Sequence, residues 1–336
     1  MNGKRWIALG VAAFVFFVST IVNLASSFLF TDFTKLLNEG VGVNEAFAEE
    51  VLESGSPTQK IAVLEVDGVI QDTGETSLFQ TAGYVHKEFM KQLNHVKDDS
   101  TVKGIILRVN SPGGGTNESA EIHHKLVQIQ EETDKPIYVS MGSMAASGGY
   151  YISAPANKIF ASPETMTGSL GVIMQGVNIA ELADKLGIDF TTIKSGPYKD
   201  IMSQYRDMTK EEKEILDSML KNSYDEFVRI ISEGRDMSEN EVREIADGRV
   251  YDGRQAKEVG LIDEFGYQED VIEQLKKDYK LEDAQVIRYS AGVGFGFGSL
   301  FGVVAQQFGG KEAEMQGITK LLTQPNAPRL MYLYSE

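Results

Sequence analysis

Hydrophobic residues follow two spacings that alternate along the chain between residues 60 and 290. Runs of strand length that are rich in apolar residues occur at residues 61–66, 102–109 and 136–140, and shorter ones at 158–161 and 190–193. Between them, apolar residues recur at helical spacing at 84–96, 119–131 and 179–186. Strands that alternate with helices are typical of an α/β fold whose mostly parallel strands are joined by crossovers.

Capping signals mark two further helices. Thr209 precedes a helical pattern that runs to about residue 234, and Glu212 lies three residues after it, which predicts a capping box. Ser238 and Glu241 repeat this spacing. Small residues crowd the short stretch 145–153, which we also expect to be helical. Residues 60–290 are therefore predicted to form one folded domain.

The longest apolar run lies at the N-terminus. Residues 6–30 carry no charge and directly follow Lys4 and Arg5. As a helix this run would measure roughly 37 Å, enough to cross a hydrocarbon layer of about 30 Å. A cleaved signal peptide is the alternative, but its apolar region is normally only about 7 to 15 residues. Because positive flanks stay in the cytoplasm, we expect a cytoplasmic stub at 1–5, a transmembrane anchor at 6–30 in the cell membrane and the folded domain on the extracytoplasmic side.

The segments on either side of the domain have weaker patterns. Residues 31–59 are acidic, show no sustained period and end in a turn-rich stretch, so we interpret them as an extracytoplasmic linker. Residues 291–336 begin with alternating Gly and Phe and are interpreted as a tail outside the core. Its aromatic residues Tyr332 and Tyr334 could dock on a neighbouring chain.

Charge and composition exclude several functions. A net charge of −17 repels phosphate backbones, so no nucleic-acid partner is expected. The chain has no cysteine, which rules out disulfides, thiol nucleophiles and thiolate metal sites. No cofactor or metal is expected.

Two glycine-rich segments are candidates for chemistry. Residues 110–115, Asn-Ser-Pro-Gly-Gly-Gly, follow a buried strand, where α/β proteins place loops that face ligands. A phosphate loop would end in Gly-Lys-Ser/Thr, which is missing, so an oxyanion-binding loop suits the pattern better, with a simple glycine turn as the alternative. In residues 141–151, small residues surround Ser147, which we favour as a nucleophile, although Ser143 and Ser153 remain possible.

A serine nucleophile needs a general base. The four histidines, His86, His95, His123 and His124, all precede the serine segment in amphipathic helical stretches without an acidic partner pattern, and we interpret them as surface or packing residues. A lysine can serve if its surroundings lower its pKa from about 10.4 toward about 7 to 8. Lys194 and Lys199 are both candidates, and their spacing does not choose between them.

Four segments in order closely resemble the signal peptide peptidase A family. They are Asn-Ser-Pro-Gly-Gly-Gly, Ser-Met-Ala-Ala-Ser-Gly-Gly-Tyr-Tyr, Thr-Gly-Ser-Leu-Gly-Val and Lys-Ser-Gly-x-x-Lys-Asp, and the resemblance extends from about residue 60 to 289. It implies Ser147 as nucleophile, Lys199 as base, Ser169 as the residue that orients the lysine, and Gly114 and Gly148 as the oxyanion hole.

The resemblance also implies a fold and a biological context. The fold would be similar to that of Clp proteases and crotonases, a spiral of repeated β-β-α units whose subunits assemble into a ring or dome. The substrates would be remnant signal peptides in the membrane. Two alternatives remain at this point, a crotonase-like acyl-CoA enzyme and a non-catalytic membrane scaffold.

Overall fold

The computed structural model of the chain describes residues 47–72, 84–290 and 330–334, together with Phe16 and Ser19. The described residues from Glu49 onward belong to one compact unit. The strands are β1 (Ala48–Glu53), β2 (Ser56–Asp67), β3 (Val102–Ser111), β4 (Gly113–Gly115), β5 (Ile137–Ala146), β6 (Lys158–Ala161), β7 (Met166–Gly168), β8 (Val250–Tyr251), β9 (Glu264–Phe265), β10 (Ala284–Ser290) and β11 (Met331–Leu333).

Helices lie between most of these strands. They are α1 (His86–Asp98), α2 (Thr116–Thr133), α3 (Gly148–Ser153), α4 (Ala180–Lys185), α5 (Lys210–Arg235), α6 (Glu239–Ile245), α7 (Gly253–Glu258) and α8 (Gln268–Tyr279). Both predicted capping boxes are present, since the side chains of Thr209 and Ser238 accept hydrogen bonds from the backbone N–H of Glu212 and Glu241. These boxes fix the starts of α5 and α6 because they satisfy N–H groups that the helix itself leaves unpaired.

The main sheet has the strand order β1-β10-β2-β3-β5-β6-β9, and β7 and β8 extend it beside the end of β5. The central pairs, from β10 through β2, β3 and β5 to β6, are all parallel. Apolar side chains of β2, β3 and α8, such as Ile61, Ile106 and Leu275, pack into one buried cluster. The alternation of strands and helices confirms the predicted α/β class, whereas the β-β-α spiral stays a prediction.

Several elements differ from the sequence-based expectations. The sheet begins at Ala48, within the stretch interpreted as a linker, because β1 is an acidic edge strand that pairs through its backbone and needs no apolar period. β5 extends through Ala146, so the helix that follows it starts only at Gly148. Residues 190–193 are exposed and form no strand, because they have no neighbouring strand among the described residues with which to pair.

The C-terminal end of the chain differs from the prediction. Residues 330–334 are not outside the core, since β11 pairs with β4 and buries Tyr332. Apart from Phe16 and Ser19, the predicted anchor at 6–30 lies outside the described residues, as do the stub at 1–5 and most of the tail. Within the described part of the chain, no helix combines the length and the apolar character that a membrane crossing requires.

Candidate active site

The short strand β4 is formed by the three glycines that follow β3. Its backbone is held on one side by Ile70, whose N–H donates to the Gly113 carbonyl oxygen and whose carbonyl oxygen accepts from Gly115, both at 2.8 Å. Gly113 has φ of +98°, a conformation that side chains strongly disfavour. A Cβ atom on Gly114 would lie only 1.8 Å from the Ile70 carbonyl oxygen. Glycine is therefore required here for both conformation and close approach.

Ser147 lies at the turn between β5 and α3. It is 1% exposed, and its backbone has φ of 53° and ψ of −115°, outside the regions that non-glycine residues normally occupy. Such a conformation costs about 1–3 kcal/mol and is concentrated at functional sites. The Ser147 N–H donates to the Gly168 carbonyl oxygen at 2.8 Å, which holds the turn against the end of β7.

The Tyr332 carbonyl oxygen lies close to two glycines at this site. Strand β11 runs antiparallel to β4 with Tyr332 opposite Gly114. A Cβ atom on Gly113 would lie 2.0 Å from the Tyr332 carbonyl oxygen, and one on Gly148 would lie 3.0 Å from the same atom. The strand β4 and Gly148, the residue after Ser147, thus converge on one peptide oxygen.

The side chain of Tyr332 fills a pocket beside this carbonyl group. Its ring stacks on Tyr151 at 4.8 Å between centroids and packs against Phe227 at the same distance. Its hydroxyl donates to the Ser223 carbonyl oxygen at 2.9 Å. Burial raises the pKa of the Tyr332 hydroxyl above its ordinary value, so it stays neutral and can donate. The site accommodates an extended segment with a large aromatic side chain.

Ser169 directly follows β7, whose last residue, Gly168, accepts the hydrogen bond from the Ser147 N–H. Gly168 is the partner of Ala146 in the parallel pair of β7 with β5, so Ser169 and Ser147 continue from adjacent strand ends. Ser169 also has a positive φ, of 50°, and its N–H donates to the Arg249 carbonyl oxygen at 2.7 Å. It borders a cavity of about 470 Å³ that Leu333 and Tyr334 of the C-terminal segment also line.

The two candidate lysines have different surroundings. The Lys194 ammonium donates to Asp200 at 2.6 Å and to the Pro197 carbonyl oxygen at 2.9 Å. Hydrogen bonds from Arg206 and Lys194 hold the pKa of Asp200 well below its ordinary value, so this carboxylate keeps its negative charge. Lys199 is exposed, and its side chain makes no hydrogen bond or ion pair with the described residues, Ser147 and Ser169 included.

The histidines do not contact Ser147 through hydrogen bonds within the described ranges. His86 has the acidic partner that its sequence context did not indicate, because its Nε2 lies 2.8 Å from Glu121 and its Nδ1 lies 2.5 Å from the Tyr84 hydroxyl. His123 packs against the Tyr151 ring.

One group of side chains has the spacing of metal ligands. Glu49, His95 and Asp99 bring their ligand atoms within 4.8 Å of one another. The Lys60 ammonium already donates to both Glu49 carboxylate oxygens at 2.8 Å. A cationic group therefore neutralises part of this cluster.

Sequence reasoning missed the residues that surround Tyr332. Tyr151 ends the segment Ser-Met-Ala-Ala-Ser-Gly-Gly-Tyr-Tyr, but the family resemblance assigns it no role. Ser223 and Phe227 lie on α5, which the sequence predicts only from its cap and its helical spacing. The alternation of large residues in Met331-Tyr332-Leu333-Tyr334 was the available signal for a strand.

Comparisons with known proteins agree on a family. The model of peptidase family S49 matches residues 129–282. A protein of Enterococcus faecium, named as a candidate signal peptide peptidase SppA, is 45% identical over 326 residues, which cover 95% of this chain and 91% of that protein. The chloroplastic serine protease SPPA of Arabidopsis thaliana is 31% identical over 62% of this chain and 30% of its own length.

Solved structures add a weaker similarity. A point mutant of ClpP1 from Listeria monocytogenes aligns with 64% of this chain and 95% of its own, at 19% identity and a TM-score of 0.40.

Proposed function

Because the chain belongs to peptidase family S49, the family of signal peptide peptidase A, we propose that it is a serine endopeptidase with Ser147 as nucleophile and Lys199 as general base. The observation that carries this proposal is the Tyr332 carbonyl oxygen, which lies against both Gly148 and the β4 glycines. A substrate peptide bound as β11 is bound would present its own carbonyl group beside the nucleophile.

The first chemical step forms an acyl-enzyme. The uncharged amine of Lys199 accepts the proton of the Ser147 hydroxyl while the Ser147 oxygen attacks the peptide carbonyl carbon. The negative charge that develops on the carbonyl oxygen is stabilised by the N–H groups of Gly114 and Gly148. Collapse of this intermediate breaks the C–N bond, and Lys199 donates its proton to the leaving amine.

The second step hydrolyses the acyl-enzyme. Lys199 accepts a proton from the attacking water and returns it to the Ser147 oxygen as the bond from that oxygen to the acyl carbon breaks, which releases the carboxylic acid product and restores the hydroxyl and the uncharged amine. We assign Ser169 the role of orienting Lys199, supported by its position on the strand end adjacent to Ser147. Lys194 is the poorer candidate base, because its ammonium is already paired with the carboxylate of Asp200.

The substrates we propose are remnant signal peptides. The pocket that holds the Tyr332 side chain is lined by aromatic rings, which suits the large apolar side chains of such peptides. The charge-free run at residues 6–30 supports a single-pass anchor in the cell membrane with the N-terminus in the cytoplasm. An anchored enzyme would meet these peptides at the membrane surface.

We further propose a ring or dome homo-oligomer. The segment that contains Lys199 exposes many large apolar side chains; they include Val177, Leu182, Leu186, Ile188, Phe190 and Ile193. Ile193 is 96% exposed. A segment that exposes this many large apolar side chains is a candidate interaction site, and a second copy that covered it would also remove water from around Lys199, which favours the uncharged amine that the mechanism needs.

The test uses the full chain in detergent or vesicles. A serine-reactive fluorophosphonate should label the parent protein and lose its target in Ser147→Ala, whereas Ser143→Ala, which changes an exposed serine of the same segment, should still be labelled. Hydrolysis of a signal-sequence peptide should disappear in Lys199→Ala and persist in Lys194→Ala. Labelling that survives in Ser147→Ala, or full activity in Lys199→Ala, would overturn the assignment of the dyad.

The substrate class and the assembly have separate readouts. Peptides with an apolar stretch should be cleaved in preference to polar peptides of equal length, and equal rates would count against the signal-peptide proposal. Ile193→Asp should reduce the mass measured by sedimentation, while a parent chain that sediments as a monomer would exclude the oligomer.

A further inference from the structure

An acidic residue directly follows the proposed general base. Asp200 is the next residue in the chain after Lys199, and its side chain is 15% exposed. A carboxylate that pairs with a lysine ammonium stabilises the charged form of the lysine. The proposed mechanism needs the uncharged form, because only a neutral amine can accept the proton of Ser147. The mechanism therefore requires that the charge of Asp200 be engaged by groups other than Lys199.

Both carboxylate oxygens of Asp200 already accept hydrogen bonds. Arg206 donates from Nε to Oδ2 at 2.9 Å and from Nη2 to Oδ1 at 2.7 Å, which makes a bidentate pair. The Lys194 ammonium donates to Oδ1 at 2.6 Å. Among the residues that the structure describes, Oδ2 has no hydrogen-bond donor other than Arg206. Lys199, although adjacent in the chain, pairs with no side chain in the described ranges.

A second carboxylate holds Arg206 in this position. Glu212 is 1% exposed and accepts a hydrogen bond from Arg206 Nη1 at 2.8 Å. It also belongs to the capping box of α5, since it accepts from the Thr209 N–H at 2.9 Å. Hydrogen bonds from Arg206 and from the Thr209 backbone lower the pKa of Glu212 to about 2, so this side chain keeps its negative charge. The start of α5 thus fixes the guanidinium group that engages Asp200.

We infer that Arg206 prevents the Asp200 carboxylate from pairing with Lys199 and so allows Lys199 to act as the base, an inference that rests on the proposed serine-peptidase function. The charged side chains that face Asp200 are Lys194 and Arg206, with Glu212 on the far side of the guanidinium group. When Arg206 is removed, Oδ2 loses its donor and becomes available to the ammonium of Lys199. Arg206 is a positioning residue, because it acts on the base through Asp200.

The experiment measures kcat/KM against pH for the full-length protein and for Arg206→Met. In the parent, kcat/KM should rise with pH along an acidic limb as Lys199 loses its proton. In Arg206→Met this limb should move by about 1 unit to higher pH, which is the smaller end of the usual effect of an opposite charge at contact distance. At a pH on the parent's limb kcat/KM should fall about tenfold, and at high pH it should recover. A variant whose segment is only less ordered would instead be slower at every pH.

Removal of the carboxylate separates this effect from a loss of order. Arg206→Met combined with Asp200→Asn should return the acidic limb to its position in the parent, because asparagine carries no charge. If Arg206 only orders the segment, the double variant should be no more active than Arg206→Met. Arg288→Met is the matched control, since Arg288 also bridges two carboxylates, those of Glu50 and Glu65, and lies on β10. Its pH profile should match that of the parent.

Two results would overturn the role of Arg206 alone. One is an acidic limb that does not move in Arg206→Met, and the other is a double variant that is no more active than Arg206→Met. Either result would leave Ser147 and Lys199 as proposed. If the parent does not hydrolyse peptides, or if its activity survives in Lys199→Ala, the proposed function itself fails and the inference falls with it.

Discussion

Replacing Tyr332 with alanine should lower the KM for peptide substrates and leave kcat unchanged. The side chain is 2% exposed. Its ring packs against those of Tyr151 and Phe227. The strand that carries it pairs with residues 113–115, so a peptide that binds along this edge has to displace it. The proposed binding mode therefore makes the C-terminal strand an intramolecular competitor of the substrate.

The size of the effect follows from what the side chain buries. Removing a large apolar side chain from a buried position costs about 1.5–3 kcal/mol, and its two aromatic contacts add about 0.5–1.5 kcal/mol each. Docking of the strand should weaken by at least about 2 kcal/mol, and since 1.4 kcal/mol corresponds to about tenfold, its docking constant should fall at least about 30-fold. Substrate binds only the fraction of chains whose strand is undocked, so we expect KM to fall by about tenfold or more.

Initial rates over a range of peptide concentrations measure this directly. Tyr332→Phe keeps the ring and loses only the hydrogen bond to the Ser223 carbonyl oxygen, worth about 0.5–1.5 kcal/mol, so its KM should lie between those of the parent and Tyr332→Ala. Tyr267→Ala is the control, because Tyr267 is 63% exposed, and should match the parent. If the KM of Tyr332→Ala equals or exceeds that of the parent, the strand does not occupy the substrate position.

Three other predictions use residues around the site. Burial lowers the pKa of His123 to about 4, below its ordinary value near 6.5, so the unfolded chain binds a proton that the folded one does not as pH falls from 6.5 toward 4. Urea unfolding should therefore give a free energy of unfolding that is about 2–3 kcal/mol lower at pH 4.5 than at pH 7.5. His123→Phe should abolish this difference, and an equal difference in both proteins would contradict the reasoning. Gly113→Ala should eliminate peptide hydrolysis, because its Cβ would lie 2.0 Å from a backbone oxygen in the groove, while Gly68→Ala, with the same positive φ but nothing within 4 Å, should lose only stability. Arg206→Met removes the bidentate partner of Asp200 and should speed proteolytic cleavage between residues 190 and 210 and lower kcat, whereas an unchanged cleavage rate would show that this ion pair does not order the segment.

The elements that the sequence predicted well are those whose cause is local. The capping boxes at Thr209 and Ser238 need only residues three positions apart, and the buried parallel strands appear in the sequence as short runs rich in apolar residues. Strand β11 has no such local cause, because Tyr332 is buried by Tyr151 and Phe227, which are far away in the sequence. Its docking depends on the backbone of three glycines, which have no side chains to give a pattern. The error at residues 190–193 has the opposite origin, since a strand-like run forms no strand without a neighbour to pair with.

The two members of the proposed dyad are held in different ways. Ser147 is fixed by the end of β5, by the start of α3 and by the Gly168 carbonyl oxygen, and its strained backbone is maintained because the surrounding sheet over-determines it. Lys199 lies on an exposed segment. Asp200 ties this segment together through ion pairs with Lys194 and Arg206, and the large apolar side chains of the segment are exposed. The sheet within one chain can therefore preorganise the proposed nucleophile and oxyanion hole, while the environment of Lys199, the proposed base, would depend on the proposed assembly. Since an amine in water is protonated at neutral pH, a peptidase built in this way would gain its general base only when the segment around Lys199 is covered.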